Sequence, residues 1–170
     1  MLMSEPDSIV RWDQHLPSPM FSRTPVDSLF FDGGVFEKPG FLQTLDRWSS
    51  LFTPAGLSVS IRVGAEVEGV LLNANCEAIR RKWAETDTPD SRRYAVFDNS
   101  SAWALFEDEA EDFGVLCTFR PCPNELKNFW PSMAPFFFTK LQLRAALNGR
   151  ASPLGDLYTQ RFLEGLATNY

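Results

Sequence analysis

The chain has 170 residues, 44% of them hydrophobic, and a formal net charge of −6. That length supports one domain with a sizeable core, and 15 Phe with 5 Trp supply large areas to bury without disulfides or metals. The acidic balance argues against direct affinity for nucleic acid, whose phosphates demand a basic surface.

Cys76, Cys117 and Cys122 show no paired spacing of the kind a zinc site uses, and His15 is the single histidine. No metal and no cofactor is expected, and the thiols are expected to be reduced in a cytoplasmic protein. The start, Met1 to Asp7, lacks the basic and apolar regions of a signal peptide. No apolar run approaches the length of a membrane span. Arginine outnumbers lysine, 12 to 4, the bias of a GC-rich bacterial source.

Residues 1–38 read as an extended arm. Pro6, Pro17, Pro19, Pro25 and the pair Gly33-Gly34 interrupt any period, yet Trp12, Leu16, Met20, Phe21, Leu29, Phe30, Phe31 and Phe36 give it too many anchors for a disordered tail. A short strand is expected at Ser28–Phe31. Residues 39–170 then form a single domain. Pro39 opens a helix to Phe52, with Phe41, Leu42, Leu45, Trp48 and Phe52 on one face, and Pro54-Ala55-Gly56 ends it. Leu57, Val59, Ile61 and Val63 alternate with Ser58, Ser60 and Arg62 as a half-buried strand. A second strand is expected at Val67–Leu72 after a turn at Gly64, and a helix at Asn75–Trp83.

A polar loop, Glu85–Ser91, leads into a strand at Arg93–Phe97, turned by Asp98-Asn99-Ser100-Ser101. Two more apolar runs, 102–106 and 113–119, complete an antiparallel meander over 93–119. Helical turns follow at Glu125–Trp130, Phe136–Leu147 and from Ser152, which caps a helix with Pro153 in its first turn. The whole reads as α+β: a mainly antiparallel sheet with helices packed to one side and an irregular N-terminal arm.

Five acids within six residues, Glu107, Asp108, Glu109, Glu111 and Asp112, stand between the last two strands as an anionic hairpin tip. Residues 85–112 hold nine of the chain's 22 acids, opposed only by Arg92 and Arg93. Such a tip either docks a cationic partner, since clustered carboxylates raise the local field and the on-rate, or is a solvated turn that guards the strand edges. The acids do not follow the spacing of an EF-hand loop. His15 sits in a proline-rich arm, a poor place to hold catalytic geometry. Gly33-Gly34 fits no phosphate-cradling pattern. The bulky run Phe129-Trp130 and Phe136-Phe137-Phe138 reads as core.

In general character the chain resembles the small, acidic immunity proteins that bacteria keep in the cytoplasm beside secreted toxins. The resemblance lies in the α+β build, the missing signal peptide and the carboxylate-rich segment, and no functional residue carries over from it. It implies a non-enzymatic module that neutralises a basic protein, such as a nuclease toxin, by covering its phosphate-binding groove. The expected partner-binding residues are Glu107, Asp108, Glu109, Glu111, Asp112 and Asp98, with Trp103 and Tyr94 as aromatic anchors. The alternatives are a small enzyme with a pocket that its sequence does not display, a phage-encoded inhibitor that mimics DNA, or a chaperone for a secreted effector.

Overall fold

The chain folds around one antiparallel sheet. The computed structural model describes residues 9–52, 57–63, 66–85, 92–124, 128–149 and 153–170. Its elements in chain order are β1 (Asp27–Asp32), α1 (Phe41–Phe52), β2 (Leu57–Val63), β3 (Glu66–Ala74), α2 (Cys76–Glu85), β4 (Arg92–Asp98), β5 (Trp103–Asp108) and β6 (Phe113–Thr118). Then come α3 (Trp130–Met133), β7 (Phe138–Thr139), α4 (Lys140–Leu147), α5 (Pro153–Leu157) and α6 (Gln160–Asn169). The expected turns at 54–56 and Gly64, most of the 85–91 loop, residues 125–127 and the Ser152 cap lie outside the described residues.

The strands run in the order β3-β2-β4-β5-β6-β1-β7. The expected meander is β4-β5-β6, with Val96 opposite Leu105 and Leu105 opposite Leu116. The arm supplies an inner strand: β1 lies between β6 and β7, pairing Asp27 with Thr118 and Phe30 with Phe138. Ahead of it, Val10 bridges to Phe21, and the hydroxyl of Tyr170 accepts from the Met20 N–H (2.7 Å) and donates to the Ser18 carbonyl (2.7 Å). The two distant parts of the chain are thus clasped together.

Central strands buried on both faces read as nearly continuous apolar runs, and all seven residues of β4 are buried. Alternate side chains feed two separate cores. On one side of the sheet α1 to α3 pack Leu42, Leu45, Trp48, Ile79 and Met133 against Tyr94, Val96, Trp103, Leu105 and Leu116. The opposite face is covered as well, by the arm and by α4 to α6, which bring Trp12, Met20, Leu143, Leu154, Leu163 and Leu166 onto Ala95, Phe97, Phe106, Val115 and Cys117. A sheet with one solvated face would need polar residues at alternate positions of β5, and Trp103-Ala104-Leu105-Phe106 has none.

Three local expectations are corrected. The helix foreseen at Phe136–Leu147 begins only at Lys140, because Phe138–Thr139 is drawn into the sheet edge beside β1. Thr139 then caps the helix, accepting from Gln142 N (3.2 Å) while Gln142 Oε1 accepts from Thr139 N (2.8 Å), a reciprocal capping box. Trp130, expected to close a helical turn, instead opens α3, with Pro131 in its first turn, where a missing N–H costs nothing. The last helix, expected to run on from Ser152, is split into α5 and α6, the second capped by Thr159 through the Phe162 N–H (3.3 Å).

Candidate functional site

The anionic tip is a different object from the one its composition suggests. β5 continues through Glu107 and Asp108, so these two acids are strand residues and both are fully buried. Only Glu109, Ala110, Glu111 and Asp112 form the turn. Asp112 is exposed and adopts a left-handed backbone (φ 51°), which Asp and Asn tolerate better than most residues. Glu111 is half-buried, and Glu109 is held by Arg92 Nε (2.9 Å).

Glu107 points into the core that holds α1 to α3. Its Oε1 accepts from the Gly34 N–H (2.8 Å), and its Oε2 meets the hydroxyl of Tyr94, the residue opposite it on β4. Phe36 and Trp83 close edge-on over the Tyr94 ring, with centroids 4.4 and 4.6 Å away, and the Arg92 guanidinium lies 3.9 Å from the Trp83 ring centre. Water is shut out, and that burial, helped by Glu109 and Asp112, pushes the Glu107 carboxyl up to about 8. The hydrogen bonds from Tyr94 and Gly34 favour the anion but do not outweigh it. Burial and the facing carboxyl also raise Tyr94 well above its ordinary range. At neutral pH the pair is therefore a protonated acid against a neutral phenol, and it is sealed from any substrate.

Gly33 and Gly34 have a reason that phosphate motifs do not supply. A Cβ on Gly33 would stand 1.9 Å from Asp112 Oδ1 and 2.8 Å from the Asp112 carbonyl carbon, so only glycine lets this turn lie against the hairpin. The Gly33 N–H donates to the Asp112 carbonyl (2.8 Å), and the Tyr158 hydroxyl shares its one proton between the same carbonyl (2.6 Å) and Asp32 Oδ1 (2.8 Å). Burial and Asp32 raise the Asp112 carboxyl, with Lys38 acting against them.

On the other face Asp108 Oδ2 meets His15 Nδ1 (2.9 Å), and its Oδ1 accepts from the Ala110 N–H (3.2 Å). Arg93, the residue opposite Asp108, donates to the carbonyls of Trp12 (2.6 Å) and Gln14 (3.1 Å) and so pins the arm across the hairpin. His15 is mostly exposed. A carboxylate-oriented imidazole resembles part of a catalytic triad, but among the described residues no hydroxyl or thiol hydrogen-bonds the ring.

Asp98 lies at the opposite end of β4, away from the acidic turn. It is buried, its Oδ1 accepting from the N–H groups of Ala102 (2.6 Å) and Trp103 (2.9 Å) and its Oδ2 from Ser100 (2.9 Å). Trp103 is fully buried, edge-on to Trp48 at 5.1 Å. Of the eight residues expected to face a partner, Glu107, Asp108, Asp98, Trp103 and Tyr94 are thus inside the fold, and Glu109, Glu111 and Asp112 reach solvent.

Of the turn acids, Glu111 borders a groove of about 590 Å³ between the arm, the hairpin turn and α6. Glu111 lines it together with Glu164, Leu16, Pro17, Phe162 and Arg161. Sequence reasoning missed Glu164, which lies 53 positions beyond Glu111 and carries no local signal. Among the described residues no cluster of three or more His, Cys, Asp or Glu is placed to hold a metal ion, and no helix is long and apolar enough to cross a membrane. Compared with protein-family models, with curated proteins and with solved structures, the chain matches none.

Proposed function

We propose that the chain is a non-enzymatic binding protein of the bacterial cytoplasm that neutralises a basic partner protein, such as a toxin acting on nucleic acid. The observation that carries this reading is the gathering of Glu111 and Glu164 in one groove beside the exposed Asp112. Three distant parts of the sequence frame that groove, and the buried acids hold its rim still. Glu107 ties the hairpin to Gly34, Asp108 ties it to His15, and Tyr158 ties it to Asp32. Carboxylates fixed in advance lose little freedom on binding and steer a cationic surface toward themselves. Pro17 and Phe162 on the groove wall supply apolar contact beside the charges.

The test is capture of partners by the tagged chain from its native host, at low and high salt, beside the triple variant Glu111→Gln, Asp112→Asn, Glu164→Gln. Asparagine tolerates the left-handed backbone at 112, so the variant is expected to keep its fold. The reading predicts one dominant basic partner, weakened by salt and lost by the variant. A partner held equally by variant and parent would refute it.

A further inference from the structure

We propose that residues 34–40 form a strap that swings away on two glycine pivots when Glu107 loses its proton, so that mild alkali opens a path from solvent to the Tyr94–Glu107 pair. Nothing in this proposal depends on the protein-binding reading. The strap is one turn of 3-10 helix, Val35–Glu37, flanked by Gly34 (φ 66°) and Gly40 (φ 81°). A Cβ on either glycine would meet nothing within 4 Å, so the left-handed backbone, not crowding, calls for glycine at both ends. Moving segments turn on a few such positions, which absorb large changes in φ and ψ.

Glu107 sits on a strand that cannot give way, since β5 is paired along its length with β4 and β6. The strap belongs to no ladder. It is held by the Gly34 N–H on Glu107 Oε1 (2.8 Å), by the Phe36 ring against Tyr94, Trp83 and Phe41, and by a loose pairing of Lys38 with Asp32 (3.9 Å). Residues 36–40 also line a cavity of about 780 Å³ that they share with α2, so the strap has free space beside it to move into. A charged carboxylate in this dry place is costly, and its surroundings do not relieve it. Glu109 and Asp112 in the turn repel it, and Tyr94 and Tyr158 are neutral phenols. Arg92 is engaged by Glu109 and by the Trp83 carbonyl. Lifting the strap brings water to the carboxylate, in exchange for one hydrogen bond and the exposure of Phe36.

The experiment is amide hydrogen exchange of the full chain at pH 6 and pH 8, corrected for the intrinsic pH dependence of exchange. Mass spectrometry reads peptides spanning 33–41 and 103–108, with and without about 1 M urea, in the wild type and in Glu107→Gln. With the proton held to about pH 8 under the closed strap and released near 4.5 once it opens, protection of the 33–41 amides should fall about fiftyfold between the two pH values. In Glu107→Gln it should stay constant within about threefold, and every other titrating group, His15 included, cancels in that comparison. Opening the strap bares little surface, so urea should leave its amides unchanged while it speeds exchange in β5, which should open only with the whole domain and stay the better protected. Exchange in 33–41 as slow and as urea-sensitive as in β5 would overturn the proposal, as would a fall absent from the wild type or repeated in the variant. The urea comparison needs the wild type alone, so the test stands without the variant.

Discussion

Replacing Glu107 by Gln is expected to make the protein more stable in mild alkali and to leave it nearly unchanged in mild acid. The folded protein holds this proton up to about pH 8, whereas the unfolded chain releases it near 4.5. An acid that binds its proton more tightly when folded contributes its full stability below the lower value and loses it steadily up to the higher one. At about 1.4 kcal/mol per pH unit, the loss across that window is about 5 kcal/mol, a large fraction of what a domain has to spare. Glutamine mimics the protonated acid: its carbonyl accepts the Gly34 N–H, and its amide donates to the Tyr94 oxygen. Urea titrations of the wild type and Glu107→Gln between pH 5 and 8.5, followed by tryptophan fluorescence, isolate this one group, because the remaining carboxylates cancel in the difference. The two should agree within about 1 kcal/mol at pH 5, and the variant should lead by several kcal/mol at pH 8.5. Parallel curves across the range would show that Glu107 is not held protonated, and the account of its sealed environment would fail.

Asp98→Ala strands the buried N–H groups of Ala102 and Trp103, and should cost about 2–6 kcal/mol in urea denaturation with no change in cooperativity. A Cβ at Gly114 would meet Phe31 Cζ at 2.0 Å and the Phe106 carbonyl oxygen at 2.7 Å, neither of which has room to retreat. Gly114→Ala should therefore lower stability by about 1–3 kcal/mol or more, with a matching fall in the thermal midpoint. Tyr170→Phe removes both hydrogen bonds of the clasp and leaves the Met20 N–H unpaired in the core, for a loss of about 1–3 kcal/mol. Amide exchange at Met20 in that variant should speed up more than exchange in β5.

The meander was legible because each of its strands is a short apolar run bounded by turn-formers, with Asp98 to Ser101 in between. The burial of the acids was legible too, had the pairing been carried further. If 97 faces 104 across that turn, then 94 faces 107 and 93 faces 108, which puts Tyr94 against Glu107 and Arg93 against Asp108. Composition alone treats all five acids as one cluster; register separates the two on the strand from the three in the turn. Other features had no local signature. The Gly34 contact spans 73 positions, and the groove depends on α6 folding back beside the hairpin. Phe138 sits inside a helical pattern, and only the edge that β1 offers pulls it into the sheet.

The position of β1 carries a cost during synthesis. Its nearest partner on β6, Phe113, lies about 80 residues downstream, and its other neighbour, β7, is later still. At roughly 5–20 residues per second, a ribosome takes roughly 4–16 s to supply the first of them. Throughout that interval Leu29-Phe30-Phe31 is an apolar strand with two unsatisfied edges, the kind of segment that neighbouring nascent chains pair with. Yield of the soluble protein should therefore track the supply of chaperones at the ribosome more closely than it tracks the stability of the finished fold.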